Sequence, residues 1–315
     1  MSTLVRRPIA TVSNTEDSSV ARALPAPSAV LELLKPVTWF APMWALGCGV
    51  VSAGVPVLEH WPSIVGAVLL AGPLVCGTSQ ACNDWFDRHV DAINEPNRPI
   101  PSGRIPGRWG LGIAIAWTLL SLGVGALLGP WVLVAAVVGL LLAWAYSAPP
   151  LRLKTNGWWG NSAVAACYEG LPWITGAVVA AGGALDGRTV ALAALYSAGA
   201  HGIMTLNDFK AIEGDRQTGI GSLPVRLGVT GAARAACLIM ALPQCVVVGL
   251  LLVWGAPVHA LAVVGLLVAQ GLMMKRFLSD PVRHALWYSG FGVPLFVSGM
   301  MVSAFALRGL AGVAA

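Results

Sequence analysis

The sequence predicts an all-α polytopic membrane protein, and its composition, hydrophobic runs and charge distribution all lead to this fold class. Of the 315 residues, 57% are hydrophobic and only 10% are charged, whereas a soluble domain has about 25% charged residues. Such a chain cannot cover a globular surface with polar groups, so lipid must be its main solvent. Because backbone groups in lipid must satisfy their own hydrogen bonds, apolar runs of about 20 residues predict membrane-spanning helices.

Nine apolar runs are long enough to form such helices. Tight turns at Gly129-Pro130 and at Gly255-Ala256-Pro257 separate the third run from the fourth and the seventh from the eighth. We therefore expect nine transmembrane helices in one bundle, with a short mobile cytoplasmic tail over 1–30 and a single membrane domain over 31–315. The runs cover approximately 37–57, 62–83, 109–128, 131–148, 161–181, 189–207, 232–253, 257–274 and 286–307.

The distribution of Lys and Arg predicts the orientation of the bundle. Of these 19 residues, 17 lie ahead of the first run or in and beside the loops after the second, fourth, sixth and eighth runs, and only Arg188 and Arg308 lie on the other side. Cytoplasmic loops are rich in Lys and Arg, so nine spans with a cytoplasmic N-terminus explain this bias, whereas eight or ten would scramble it. Residues 1–30 lack the apolar core of a signal peptide. The net charge of +5 thus favours membrane lipids and an anionic substrate as partners, and not nucleic acid.

Two acidic stretches follow the second and the sixth run, at the cytoplasmic ends. They read N-D-W-F-D-R-H-V-D over 83–91 and N-D-F-K-A-I-E-G-D over 207–215. Together with Glu95 they contain 7 of the 14 acidic residues of the chain. Helix caps and headgroup contacts explain one such stretch as well as a binding site does, but they explain two matched stretches poorly. A proton relay is also disfavoured, because its carboxylates usually lie at mid-membrane.

The spacing of the acids predicts a site for a divalent metal. If the second helix continues into its acidic stretch, three aspartates at i, i+3 and i+7 share one face, and the first and last aspartates of the other stretch share the same spacing. Two such faces would gather about five carboxylates, whose oxygens suit Mg²⁺ together with substrate phosphates. The predicted catalytic metal ligands are Asp84, Asp87, Asp91, Asp208 and Asp215, with Glu213 as a further candidate ligand.

Basic and amide side chains near these acids predict a diphosphate-binding site. Arg pairs with phosphate oxygens in a bidentate fashion, and Lys contributes a point charge. A third element is the loop after the fourth run, Y-S-A-P-P-L-R-L-K over 146–154, in which two prolines fix the direction of the following cations. The predicted diphosphate contacts are Asn83, Arg88, Arg98, Arg104, Arg152, Lys154, Asn207, Lys210 and Arg216.

Three further residues are candidate contacts for a polar acceptor: Tyr146, Glu169 and His201. A carboxylate inside a span, such as Glu169, is costly and functional by default, although a local pair with Tyr168 or with a backbone donor is an equal alternative. His201 precedes Asp208 by seven residues on the same helical face. It either ligates the central metal of a tetrapyrrole or is a hydrogen-bonded core histidine, and the sequence favours the second interpretation.

These motifs resemble the UbiA superfamily of intramembrane prenyltransferases over about residues 30–307. The resemblance to its chlorophyll synthase branch rests on N-D-W-F-D-R-H-V-D-A-I-N-E-P-N-R-P-I-P-S-G-R over 83–104, Y-S-A-P-P-L-R-L-K-T-N-G-W-W-G-N over 146–161 and N-D-F-K-A-I-E-G-D-R-Q-T-G-I-G-S-L-P-V-R-L-G over 207–228. N-S-A-V-A-A-C-Y-E-G-L-P-W over 161–173 is similar to the bacteriochlorophyll-making members. One departure is Ala211, where relatives often carry an aspartate, so the second half-site depends on Asp208 and Asp215.

The resemblance implies a fold, a reaction and partners. It implies a nine-helix bundle whose two Asp-rich motifs hold a prenyl diphosphate through Mg²⁺, with Mn²⁺ as a substitute. The expected donor is geranylgeranyl or phytyl diphosphate, and the expected acceptor is the propionate of bacteriochlorophyllide. Chlorophyllide, a quinone precursor or haem are the alternative acceptors, and a transporter or scaffold is the alternative outside this enzyme class. A bacterial inner or intracytoplasmic photosynthetic membrane and contacts with photosynthetic assembly proteins are further expectations.

Overall fold

A computed structural model describes residues 24–313 of the chain, and these residues are helical almost throughout. No β-strand occurs among them; the only pairing of that kind is an isolated bridge between Asn156 and Gly221. The predicted all-α class is therefore confirmed. The helices, each counted together with any π-helical segment inside it, are α1 (Pro27–Leu33), α2 (Phe40–Ser52), α3 (Trp61–Asn94), α4 (Trp109–Leu128), α5 (Pro130–Ser147), α6 (Gly157–Ala180), α7 (Gly187–Asp208), α8 (Ile212–Thr218), α9 (Leu223–Val253), α10 (Pro257–Ser279) and α11 (Pro281–Val313).

Eight of these helices, α3 to α7 and α9 to α11, are long and apolar enough to cross a membrane. They correspond to eight of the nine predicted runs. The first predicted run, 37–57, forms α2, whose 13 residues extend only about 20 Å at the rise of an α-helix. Since the bilayer core is about 30 Å thick, the predicted count of nine spans is not confirmed among the described residues.

Helix α2 is short, but it lies against α6 inside the bundle. A Cβ atom at Gly49 would stand 1.9 Å from the carbonyl oxygen of Trp173, and one at Gly176 would stand 2.1 Å from that of Leu46. Only glycine permits this approach, which is the usual way in which membrane helices pack closely. The Trp173 ring stacks on Tyr196 of α7 at 5.6 Å between centroids, and both rings are fully buried.

Buried polar side chains connect further helices. Gln244 of α9 and Gln270 of α10 exchange two amide hydrogen bonds of 3.1 and 3.0 Å, and both are fully buried. The hydroxyls of Tyr196 and Ser303 lie 2.8 Å apart and link α7 to α11. Interhelical hydrogen bonds of this kind stabilise membrane bundles modestly, and they fix which faces of the helices meet.

Two of the long helices contain π-helical segments. The first covers Leu70–Cys76 in α3 and includes Pro73, which has no N–H for the helical ladder. The second covers Ala166–Gly170 in α6 and contains Glu169. Segments of this kind frequently occur at functional sites. Helix α3 also extends beyond its apolar run, so that the first acidic stretch lies on its last turns.

The predicted boundary at residue 30 falls within α1. Residues 1–23 of the predicted tail lie outside the described residues. Ala29 and Leu33 of α1 are buried in one hydrophobic cluster with Ala81 and Cys82 of α3. This packing brings the residues that follow α1 next to the first acidic stretch.

Candidate active site

The three aspartates of the first acidic stretch lie on one face of α3. This helix runs without interruption from Gly77 to Asn94, which confirms the predicted helical continuation. Asp84 and Asp91 are both buried, and both accept hydrogen bonds from the same guanidinium, that of Arg98. Their spacing of seven residues, two helical turns, is what allows one side chain to reach both.

Asp84 is the most enclosed of these carboxylates, with 1% of its side chain exposed. Its Oδ1 accepts from the Lys35 ammonium at 2.7 Å and from Arg98 Nη1 at 3.4 Å. Its Oδ2 is buried and has no hydrogen-bond partner among the described residues. Buried carboxylate oxygens are normally satisfied, so the lack of a partner makes Oδ2 a candidate ligand for a cation.

Arg98 lies in the loop between α3 and α4 and is held by acids on three sides. It donates to Asp91 at 2.8 Å and approaches Asp84 at 3.4 Å and Glu95 at 3.9 Å. Partial burial alone lowers the pKa of the Arg98 guanidinium, but the charges of Asp84, Asp91 and Glu95 outweigh burial and raise the pKa of Arg98. The guanidinium therefore stays charged within the site.

Asp87 connects α3 to the loop after α5. Its Oδ1 forms an ion pair with Lys154, and its Oδ2 accepts from Asn83 at 3.0 Å. The Asn83 amide also donates to the Ser147 hydroxyl at 3.3 Å. The Lys154 side chain is only 7% exposed. The third predicted element, the loop at 146–154, therefore reaches the first acidic stretch as expected.

Backbone hydrogen bonds tie this loop to the segment after the second acidic stretch. Gly157 donates to the carbonyl of Gly221, and Gly221 donates to that of Thr155, both at 2.9 Å. The side chain of Asn156 caps α6 by accepting from the amide of Trp158 at 3.0 Å. The loops that carry Lys154 and the second acidic stretch therefore form one layer at this end of the bundle.

In the second acidic stretch, neutral groups are the partners of the aspartates. Asp208 accepts from the buried Asn161 amide at 3.2 Å, and Asp215 accepts from the Ser222 hydroxyl at 2.6 Å. Burial raises the pKa of Asp215, and the hydrogen bond from Ser222 counteracts this only in part. Because α8 lies outside the membrane-spanning helices, the pH of the aqueous phase affects this carboxylate directly.

The expectation that Asp208 and Asp215 share one helical face is wrong. Helix α7 ends at Asp208, and α8 begins only at Ile212. Phe209 is buried between these helices, in edge contact with Phe277 at 5.5 Å between centroids. The packing of Phe209 fixes a turn between α7 and α8, so the two aspartates belong to different helices.

The two acidic stretches lie at the same end of the bundle. Lys154 pairs with Asp87 of the first stretch, and the neighbouring Thr155 accepts a hydrogen bond from Gly221, which follows the second stretch. Even so, within residues 24–313 no three His, Cys, Asp or Glu side chains come together closely enough to hold a metal ion by themselves. The predicted gathering of five carboxylates into one ligand set is therefore not found there. The two stretches share one end of the bundle, and basic side chains lie among the acids of the first stretch.

A protein-family model described as the UbiA prenyltransferase family matches residues 37–307. The chain belongs to the UbiA prenyltransferase family. It is therefore a prenyltransferase and an integral membrane protein, and the predicted resemblance is confirmed.

Two relatives and one solved structure refine this assignment. The bacteriochlorophyll synthase 33 kDa chain of Cereibacter sphaeroides is 60% identical over 289 residues, which are 92% of this chain and 96% of that protein. The chloroplastic chlorophyll synthase of Oryza sativa subsp. japonica is 42% identical over 88% of this chain and 76% of that protein. A structure of a UbiA homolog from Archaeoglobus fulgidus bound to GPP and Mg²⁺ covers 91% of this chain and 100% of that chain, with a TM-score of 0.61 at 20% identity. This UbiA-family chain thus resembles the bacterial synthase more than the plant one, and its fold is that of the family.

Several predicted diphosphate contacts do not point at the acids in this UbiA-family chain. Arg88 stacks over the Trp85 ring at 4.2 Å and donates to the Trp85 carbonyl. Arg104 forms two hydrogen bonds, of 2.5 and 2.8 Å, with Glu32 of α1. Arg152 is half-buried and has a left-handed backbone with φ 37°.

The remaining predicted residues of the second stretch lie at the surface. Asn207 and Lys210 are exposed. Arg216 lies 4.0 Å from Glu213, and both side chains are largely exposed. Glu213 accepts a hydrogen bond from Gln217 and is directed away from the other acids, as its spacing indicates. The roles of these four residues as substrate or metal contacts remain predictions.

Three residues that contact the acids were not among the predicted site residues. Lys35 was not predicted as a site residue, yet it pairs with Asp84, 49 positions later in the chain. Asn161 and Ser222, the partners of Asp208 and Asp215, were not singled out either. Asn161 closes the motif over 146–161, so its place in that motif was the available signal.

Two of the candidate acceptor residues are buried and incompletely satisfied. Glu169 is 3% exposed, and its Oε2 has no partner in the part of the chain that the structure describes. The alternative of a pair with Tyr168 is not observed, since the Tyr168 hydroxyl accepts instead from Gln80 and Cys76. His201 hydrogen-bonds through Nδ1, while its Nε2 is unpartnered there.

Proposed function

We propose that this chain esterifies bacteriochlorophyllide, by transferring a geranylgeranyl or phytyl group from its diphosphate to the propionate carboxylate of the pigment. The observation that carries the proposal is Asp84, a buried carboxylate with one oxygen paired to cations and the other open. A prenyltransferase requires such a place for a cation that accompanies diphosphate. The choice of acceptor is supported by the 60% identity to a bacteriochlorophyll synthase chain.

The donor set at this place fits Mg²⁺. Mg²⁺ is usually bound through one or two carboxylates together with substrate phosphates, and not by a complete protein cage. The unpartnered Oδ2 of Asp84 and the neighbouring Asp87 and Asp91 supply such carboxylates from the first stretch, and Asp208 and Asp215 supply them from the second. When bound, Mg²⁺ supplies positive charge that stabilises the departing diphosphate. Mn²⁺ prefers similar oxygen ligands and is expected to replace it.

The basic side chains at the first stretch have a second role in this proposal. Lys35, Arg98 and Lys154 neutralise the aspartates of the first stretch. A diphosphate brings its own anionic oxygens to the same place, so these three cations would donate to it, and the carboxylates would then be available to hold the metal. Charge-assisted hydrogen bonds to phosphate are among the stronger contacts in proteins. Held in place beforehand, they stabilise the charge that develops on the leaving group.

The bond changes require no general base. The C1–O bond of the prenyl diphosphate breaks, and both electrons leave with the diphosphate. A propionate oxygen then forms the new C–O bond to C1 of the prenyl group, which gives the ester. A carboxylic acid with a pKa of about 4 is already ionised at pH 7, so the acceptor has no proton to lose. The role of the chain's residues is therefore to bind, to orient and to balance charge.

The same proposal includes the surroundings of the enzyme. We place the chain in a bacterial inner or intracytoplasmic photosynthetic membrane, with its N-terminus and the acidic stretches at the cytoplasmic face. Support comes from the 17 of 19 Lys and Arg residues on that side. The esterified product is lipophilic, so photosynthetic assembly proteins are the expected recipients.

The test is an esterification assay with the Asp87→Asn variant. Membranes that contain it receive bacteriochlorophyllide and geranylgeranyl diphosphate, with Mg²⁺, with Mn²⁺, or with chelator. We expect the esterification rate of the variant to fall by a factor on the order of 10²–10³, as for the loss of one preorganised charge contact. We expect Mn²⁺ to restore part of the activity of the wild type after chelation. Glu59→Gln, at an exposed position on the opposite side of the bundle, serves as the matched control.

Three results would overturn parts of this proposal separately. A near-normal rate of Asp87→Asn at limiting Mg²⁺ would contradict the metal assignment. Competition with chlorophyllide tests the acceptor: preferential esterification of chlorophyllide would replace bacteriochlorophyllide as the substrate. Release of diphosphate only with a quinone precursor or haem would reject both bacteriochlorophyllide and chlorophyllide as the acceptor.

A further inference from the structure

Asp84 Oδ1 brings together two cations that come from separate segments of the chain. Lys35 follows α1 and donates to this oxygen at 2.7 Å, and Arg98 lies in the loop between α3 and α4 and approaches it at 3.4 Å. Under the proposed function both cations bind the diphosphate. Their effect then depends on how α1 and this loop are held relative to each other, because a charge-assisted hydrogen bond requires a short distance between donor and acceptor.

An exposed ion pair connects these two segments. Arg104, in the loop that carries Arg98, donates to both carboxylate oxygens of Glu32 of α1, at 2.5 and 2.8 Å. The same guanidinium donates to the carbonyl of Asn97 at 2.6 Å and to the hydroxyl of Ser102 at 3.1 Å. All three of its nitrogens are therefore engaged. One rigid planar group thus joins the loop on one side to α1 on the other.

The backbone of Lys35 has a conformation that residues other than glycine rarely adopt. Its φ is 48°, in the left-handed region, which is unfavourable for a residue with a Cβ atom. The Lys35 carbonyl accepts from the Thr38 hydroxyl at 2.8 Å, and the preceding Leu34 carbonyl accepts from the Trp39 indole at 2.8 Å. Backbone strain of this kind persists where the surrounding structure fixes it, and it clusters at functional sites. The segment after α1 is therefore held so that the Lys35 ammonium reaches Asp84.

The ion pair is not required to keep α1 on the bundle. Ala29, Leu33 and Leu34 are buried against α3 in one hydrophobic cluster, whereas the side chains of Glu32 and Arg104 are 49% and 44% exposed. An exposed ion pair contributes little to the free energy of folding. Two parallel hydrogen bonds from a planar guanidinium do, however, fix distance and direction between the groups that they join.

We propose that Glu32 and Arg104 are positioning residues for the diphosphate site. Their ion pair keeps the Lys35 ammonium beside the Arg98 guanidinium, so that both cations contact the same diphosphate. Because this role takes the ligand at Asp84 to be a prenyl diphosphate, it rests on the proposed function. It also gives Arg104 an indirect part in binding, in place of the direct contact with diphosphate that its sequence motif predicts.

The test measures the binding of a prenyl diphosphate in the absence of an acceptor. Dissociation constants of geranylgeranyl S-thiolodiphosphate, an unreactive analogue, are measured by isothermal titration calorimetry of the detergent-solubilised full chain with Mg²⁺. We expect Glu32→Ala and Arg104→Met each to weaken binding about threefold to fivefold, the upper range for an exposed ion pair. The double variant should bind no more weakly than either single variant, because each substitution alone breaks the ion pair.

Two control variants remove the same charges at exposed positions that have no ion pair within residues 24–313. Arg108→Met lies in the same loop as Arg104, and Glu59→Ala lies just before α3. Both should leave the dissociation constant unchanged. If Arg104→Met weakens binding while Glu32→Ala leaves it unchanged or strengthens it, Arg104 contacts the diphosphate directly and the positioning role is overturned. Equal affinities of all variants and wild type overturn it as well.

A second comparison tests whether Glu32 acts through Lys35. Lys35→Gln keeps a hydrogen-bond donor for Asp84 but removes the positive charge, and we expect it to weaken binding about tenfold. In that background Glu32→Ala should cause no further loss, since the ammonium that it positions is absent. A purely structural role of Glu32 would instead produce the same threefold to fivefold loss in both backgrounds, and this result would overturn the proposal.

These failures are distinguishable from failure of the proposed function. If wild type binds the analogue with Mg²⁺ and both Glu32→Ala and Arg104→Met bind it equally well, only the positioning role falls. If wild type does not bind the analogue at all, the proposed function falls together with the positioning role.

Discussion

The two acidic stretches are similar in sequence but differ in what surrounds their aspartates. In the first, cations are the partners: Lys35 and Arg98 pair with Asp84, and Lys154 pairs with Asp87. In the second, the partners are neutral: an amide for Asp208 and a hydroxyl for Asp215. The first stretch lies on one continuous helix, whereas the second is divided between α7 and α8.

This difference indicates a division of work between the stretches. Ion pairs hold the carboxylates of the first stretch in place. Under the proposed function the paired cations would bind phosphate, so this stretch would organise both metal and diphosphate. The second stretch has acids but no paired cation among the described residues near Asp208 and Asp215, and Ala211 leaves it one carboxylate short. We therefore expect substitutions in the first stretch to have the larger effects throughout.

The largest difference should appear in the rate of esterification. We expect Asp84→Asn to lower the rate by a factor on the order of 10²–10³, as when one preorganised electrostatic contact is lost from an active site. Asp215→Asn should lower it by only about tenfold, since its neighbourhood contains no cation that acts on the diphosphate. Initial rates at saturating Mg²⁺ and substrates check this. Equal losses in the two variants would contradict the proposed division of work.

The next largest difference should appear in stability. Asp84→Asn leaves two cations beside an uncharged amide, and breaking a buried ion pair destabilises by about 3–5 kcal/mol. Lys35 and Arg98 are 25% and 30% exposed, so water screens them and we expect only about 1–3 kcal/mol. Asp215→Asn keeps the bond from Ser222 and should lose less than about 1 kcal/mol. Thermal unfolding in detergent measures both, and an Asp84→Asn variant as stable as Asp215→Asn would show that its ion pairs are dispensable.

The sequence predicted the helices and the first acidic face because both depend on local patterns. The apolar run at 109–128 reappears as α4 with the same bounds. The i, i+3, i+7 spacing of the aspartates requires only that α3 continue, which it does. Loop residue Lys154 was also predicted, because its motif lies on the same side of the membrane.

The parts that the sequence did not predict depend on contacts between distant segments. Lys35 reaches Asp84 only because α1 packs against α3, and no spacing rule connects positions so far apart. The break between α7 and α8 depends on Phe209 packing against Phe277 of another helix. The short α2 was predicted as a full span because hydropathy does not reveal that a helix ends after Ser52.

Lys154 offers a test of the first stretch at its link to the diphosphate. Its side chain is nearly buried against Asp87, whereas Lys275 is exposed in α10 near the same end of the bundle. We expect Lys154→Met to raise KM for the prenyl diphosphate by about tenfold, the size of one charge-assisted contact. Lys275→Met, the matched control, should leave KM unchanged. If the two variants have the same KM, Lys154 does not bind the diphosphate.

The smallest effect should come from the second stretch and should depend on pH. Burial raises the pKa of Asp215, and the Ser222 hydroxyl lowers it in part, so Ser222→Ala should raise the pKa of Asp215 further. In the proposed function the ionised form of Asp215 binds the metal, so activity should be lost as pH falls through this pKa. In the Ser222→Ala variant this loss of activity should therefore occur at a higher pH. In that pH range we expect a rate about twofold to threefold below wild type, and at higher pH we expect the same rate as wild type.

The stability of the same variant should change with pH in the opposite direction. Folding raises the pKa of Asp215 above the ordinary carboxyl value, so the folded state binds its proton more tightly than the unfolded state does. The contribution of Asp215 to stability is therefore lost as pH rises through the raised pKa. Ser222→Ala should enlarge that loss at neutral pH and leave stability near wild type at low pH. If the loss of activity moved to higher pH while the pH range of the stability loss stayed as in wild type, Ser222 would act on some group other than Asp215.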